Sequence, residues 1–136
     1  RHGVAHSADL LMQLSLNDHI GAEHHREMLA AIAAQLSPSG HFYTYGEPAR
    51  LARPVLFMAM QGTINEDEWI TWFANIVKPA PEMEKWNDAF SSNAGLAKRH
   101  NLTAFLSALH LNISNSENEN LKFLRPGLSN ALEQLP

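Results

Sequence analysis

Two histidines and an aspartate open the chain in "RHGVAHSADLLMQL", at His2, His6 and Asp9. A helix places residues four and three apart on one face, so the spacing predicts that all three side chains share a row. An i, i+4 histidine pair spans a rise of about 6 Å and can converge on one ion. Asp9 would add an oxygen ligand, and Glu47 from a neighbouring helix would complete the set His2, His6, Asp9 and Glu47. Zinc accepts two imidazoles and carboxylates, and an open position would make such a site hydrolytic. The glutamate that follows the first histidine in H-E-x-x-H, the general base of many metalloproteases, is not present.

A second reading uses the same residues without a metal. Glu47, Arg50 and Arg53 repeat at steps of three and form a charged ridge in "GEPARLAR". Packed on the first helix, the ridge would set an arginine fork on Asp9 and Glu47 on His6. Arg–carboxylate forks are planar and fix helix register. This clasp, or a ligand-contact surface built from the same row, is preferred over a metal site and over a metal-free acid/base pair. The remaining histidines carry less. His24 and His25 are adjacent and diverge by about 100° on a helix. His41 falls in a loop, and His110 falls near the edge of a helical stripe; each reads as a solvated or singly bonded side chain. "NLT" and "NIS" match a glycosylation pattern but lack a secretory signal beside them.

Helices must position these groups, and the apolar periodicity supplies them. Val4, Ala8, Leu11 and Ser15, widened by Leu10 and Leu14, trace a first stripe. Met28, Leu29, Ile32 and Leu36 trace a second. "GEPARLARPVLFMAMQG" has Pro48 suited to a first turn and Gly62 just past the end, with Pro54 expected to kink or split the helix. Asn65 with Glu68 three residues on reads as a capping box ahead of Trp69, Trp72, Phe73 and Ile76. "PAPEMEKWNDAF" reads as a short helix or ordered excursion. Leu102, Phe105, Leu106, Leu109 and Ile113 form the strongest stripe, "SNSENEN" reads as a solvated loop, and a last short helix lies within "PGLSNALEQL". Phe42, Tyr43 and Tyr45 pin the loop "PSGHFYTYG" to the body. With no alternating β-branched run, the fold class is all-α, as antiparallel helices in a closed bundle or a HEAT-like stack of helix pairs.

Composition sets the outer limits. The 136 residues, 45% hydrophobic and 18% charged, describe one soluble globular domain over 1–136. A net charge of −4 offers no basic field for nucleic acid or an anionic membrane. Without cysteine, thiolate metal sites and disulfides are excluded, which permits a cytoplasmic setting. "PVLFMAM" is far short of the ~20 apolar residues that span a bilayer. The chain opens without methionine, inside what reads as helix, which predicts an upstream part. The first stripe would then expose one side and promote self-association as a homodimer.

Three segments, "HGVAHSADLL", "GEPARLARPVL" and "HNLTAFLSALHL", stand in an order and spacing that resemble the C-terminal part of a bacterial family catalogued as domain of unknown function 2785. Its segments have the forms V-H-x-x-A-H-x-A-D-L-L, G-E-x-x-R-L-A-R and H-N-L-x-x-F-L-x-x-L. The resemblance implies an all-helical bacterial protein without an assigned reaction. Its polar positions fall on His2, His6, Asp9, Glu47, Arg50, Arg53, His100 and Asn101. Pro54 departs from the family pattern, which has a small helix-compatible residue there. The resulting expectation is an interaction or scaffold module that contacts a protein or a small anionic ligand through this cluster and needs no cofactor. The alternative is a hydrolase-like enzyme using the cluster with or without a divalent metal.

Overall fold

The computed structural model describes residues 2–15, 17, 21–36, 46–79 and 85–136, the side chains of 2–7, 15, 87 and 91 excepted. Its elements are α1 (His2–Ser15), α2 (Ala22–Leu36), α3 (Glu47–Gln61), α4 (Glu66–Ile76), a 3₁₀ segment (Trp86–Ser91), α5 (Asn93–Ser114), a second 3₁₀ segment (Glu119–Leu124) and α6 (Arg125–Gln134). Among the described residues there is no strand, and the chain is all-α. Among the described residues no helix is long and apolar enough to cross a membrane. His41, Phe42, Tyr43 and Tyr45 lie outside the described residues.

Local chemistry explains the helix limits. Pro48 sits in the first turn of α3, where its missing N–H is no loss. Gly62 ends that helix at φ 71°, a left-handed conformation that glycine adopts without a side-chain penalty, and its N–H bonds the Ala59 carbonyl. Asn65 caps α4 by accepting from the Glu68 N–H at 2.8 Å. The capping box is only half formed. The Glu68 carboxylate takes the Asn65 side-chain amide at 3.1 Å, and the bond back to the cap backbone is not made.

Two expectations change. Pro54 does not split α3, which runs as one helix from Glu47 to Gln61. Proline there removes the donor to the Arg50 carbonyl. Arg50 lies on the exposed side, where water can take over, while Pro54 itself is buried in the packing. The polar "SNSENEN" stretch is also not wholly solvated. Its end enters the second 3₁₀ segment, which buries Leu121 and Leu124. Asn120 donates its side-chain amide to the Met60 carbonyl at 2.7 Å, tying the segment to the end of α3.

Alternate helices pack most closely. α1 lies against α3 and α3 against α5, while α4 lies against α6 and touches α2 more lightly. α3 therefore has neighbours on several sides, which is why Leu51, Val55 and Met58 are fully buried. The predicted stripes of α2, α4 and α5 all face the core. Trp72 is the aromatic hinge of that core, edge-on to Phe73 at 5.1 Å and to Phe105 at 6.0 Å. Its indole N–H, which could not be left unpaired in such a setting, donates to the Leu29 carbonyl at 3.0 Å.

Candidate functional site

The two helices that carry the N-terminal polar rows are neighbours, since α1 packs on α3. Ala8 and the half-buried Leu11 supply the contact face of α1. Asp9, one residue beyond Ala8, turns about 100° away and is exposed. The backbones of His2 and His6 lie in α1, and their side chains lie outside the described ones.

The ridge on α3 does not keep to one face. Three residues advance a helix by about 300°, so each i+3 step falls roughly 60° short of a full turn. Glu47 is buried at 1% exposure in the first turn. Arg50 and Arg53 have rotated progressively out and are exposed. Leu51, at i+4 from Glu47, remains in the core instead. None of the ion pairs among the described residues joins Asp9 to Arg50 or Arg53. On α5, His100 is exposed whereas Asn101 is fully buried. The described part of the cluster thus divides into buried Glu47 and Asn101 and exposed Asp9, Arg50, Arg53 and His100. No three His, Asp or Glu side chains among the described residues are grouped so as to hold a metal ion. The burial of Asn101 also closes the "NLT" sequon to any glycosyltransferase in the folded chain.

A second polar seam joins α2 to α4 and to the turn before it, and sequence reasoning passed over it. His25 is fully buried, its Nδ1 hydrogen-bonded to Thr63 Oγ1 and its Nε2 without a partner. Burial pushes its pKa below the usual imidazole value, and the neighbouring His24 adds to the effect. One residue on, Arg26 forks onto Glu68, with Nε at 2.8 Å from Oε2 and Nη2 at 3.0 Å from Oε1. The hydrogen bond from Arg26, then its charge, holds the Glu68 carboxyl below the ordinary range. An arginine fork between helices does exist in this fold, but it couples α2 with α4. The signal for His25 was available: it precedes Met28, Leu29 and Ile32 by three, four and seven residues, on the apolar stripe itself. Nothing comparable marked Arg26, whose partner is 42 residues away.

The exposed arginines of α3 can meet an anion, and Glu47 sits where a carboxylate is shielded from water. Over residues 1–111 the sequence matches the family described as "Protein of unknown function (DUF2785)". Neither the curated proteins nor the solved structures contain a match.

Proposed function

This chain belongs to the DUF2785 family, and on that premise we propose that it is a helical interaction module, a stack of helix pairs that presents the α1/α3 face to a partner protein or a small anionic ligand. The cluster His2, His6, Asp9, Glu47, Arg50, Arg53, His100 and Asn101 serves contact and packing in this reading. The single observation that carries it is the outward face of α3, where Arg50 and Arg53 stand one turn apart, exposed and absent from the ion pairs among the described residues. Neighbouring, exposed guanidinium groups are suited to carboxylate or phosphate recognition. The neighbouring helix adds apolar surface, with Leu10 58% and Leu14 38% exposed one turn apart. Alternate-helix packing supports the stacked arrangement, because such stacks leave one long face open to partners.

The test is light scattering across a concentration series, on the wild type and on a Leu10→Ser/Leu14→Ser variant. Concentration-dependent association that the double substitution abolishes is the expected result; a clean monomer throughout would count against this face as a contact surface. A second reading, hydrolytic chemistry on a divalent metal, draws on the buried Glu47 carboxylate in the helix that packs on α1. Elemental analysis of untagged protein decides it: near-stoichiometric zinc, nickel or manganese that disappears in His6→Ala would replace the scaffold reading.

A further inference from the structure

α5 and α6 enclose a surface hollow of about 370 Å³ lined by His110, Ile113, Ser114, Arg125, Leu128 and Ser129. Its pattern is regular. His110 and Ser114 stand one turn apart on α5, and Arg125 and Ser129 stand one turn apart on α6. Two rows of hydrogen-bonding side chains thus flank an apolar floor made by Ile113 and Leu128, both buried. No carboxylate lines the hollow. The volume falls within the roughly 300–1,000 Å³ typical of small-molecule sites.

We infer that this hollow binds a phosphate monoester. Arg125 is exposed and takes part in none of the ion pairs among the described residues. Its planar fork can hold two phosphoryl oxygens. Ser129 on the same row, and Ser114 and His110 on the facing row, can serve the third oxygen. A phosphoryl group offers three strong acceptor oxygens in a tetrahedron, which matches donors arriving from two helices better than the two coplanar oxygens of a carboxylate. The apolar floor suits the organic part of an ester. The Arg125 amide plays no part here, because the 3₁₀ segment runs directly into α6 and that N–H is bonded to the Lys122 carbonyl. Beyond Arg125 lies an adjoining hollow with Glu117, Glu119 and Lys122. There Lys122 pairs with Glu119 at 3.0 Å, leaving Glu117 as the carboxylate that competes for the arginine.

The site lies at the opposite end of the chain from the α1/α3 face, and three of its four polar residues fall beyond the family match, so it stands or falls independently of that face. The experiment is titration of ¹⁵N-labelled protein with phenyl phosphate, followed by amide chemical shifts, with inorganic phosphate, benzoate and sodium chloride as parallel arms. Saturable shifts confined to residues 110–114 and 125–129 are expected, with a Kd on the order of a millimolar or tighter and phenyl phosphate binding more tightly than phosphate. Arg125→Ala should weaken binding about tenfold or more, as expected for loss of charge-assisted hydrogen bonds. Arg125→Lys should fall between, and Ser129→Ala provides a variant that leaves the charge in place and still weakens binding. Linear shifts that track ionic strength, equal response to benzoate, or unchanged affinity in Arg125→Ala would each overturn the assignment.

Discussion

His25 in the first turn of α2 and Thr63 in the turn between α3 and α4 are hydrogen-bonded across 38 positions of sequence, inside a seam that shields His25 wholly from water. The neutral imidazole satisfies one ring nitrogen there and leaves the other bare. Protonation would give the ring two N–H donors with one partner between them, in a setting that disfavours charge.

Acid should therefore loosen the fold through this ring. The folded pKa lies below the unfolded value of 6.5, so the unfolded chain binds more protons as pH falls through that region. Stability contributed by neutral His25 is fully present above pH 6.5 and declines below it. Urea unfolding at a series of pH values between about 7.5 and 5 should show this decline, and His25→Leu should flatten it. An equal slope in the variant would place the titrating group elsewhere.

Gly127 is a point of close approach between α6 and α4. A Cβ there would stand 2.8 Å from Phe73 Cδ2 and 3.1 Å from both the Ile70 Cα and the Trp69 carbonyl. Alanine improves helix propensity by ~1 kcal/mol, whereas overpacking against backbone costs ~1–3 kcal/mol. The backbone cannot yield as a flexible side chain does, so Gly127→Ala should be net destabilising and lower Tm by a few degrees. A rise in Tm would mean that α6 stands further from α4 than this packing requires.

The Arg26–Glu68 fork should matter more for register than for stability. Arg26 is 53% and Glu68 32% exposed, so water screens their attraction and the coupling is small. A double-mutant cycle with Arg26→Ala and Glu68→Ala should give a weak coupling that shrinks further in 1 M salt, about a 3 Å screening length. A large, salt-insensitive coupling would show that the pair is far more enclosed.

Much of this was legible in the chain. Leu102, Phe105, Leu106, Leu109 and Ile113 announce α5 by spacing alone, and Met28, Leu29, Ile32 and Leu36 do the same for α2, because a helix converts a period near 3.6 into a face. Caps and stops were equally local: Pro48, Gly62 and Asn65 act within one turn of themselves. The three motifs likewise carried the family, which the match over residues 1–111 bears out.

Partnership was another matter. Residues Glu47, Arg50 and Arg53 look like one ridge in sequence, and only the neighbours of α3 decide that the first is buried and the last two are not. His25 and Arg26 are consecutive, yet one meets Thr63 inside the seam and the other meets Glu68 at its rim. Sequence by itself determined the helices and, for α2, α4 and α5, the face each one buries, since those depend on contacts within a few residues. Which polar groups meet was decided only by tertiary structure, because a hydrogen bond over 38 or 42 positions depends on how helices rotate against one another, and the apolar period leaves that rotation free over tens of degrees.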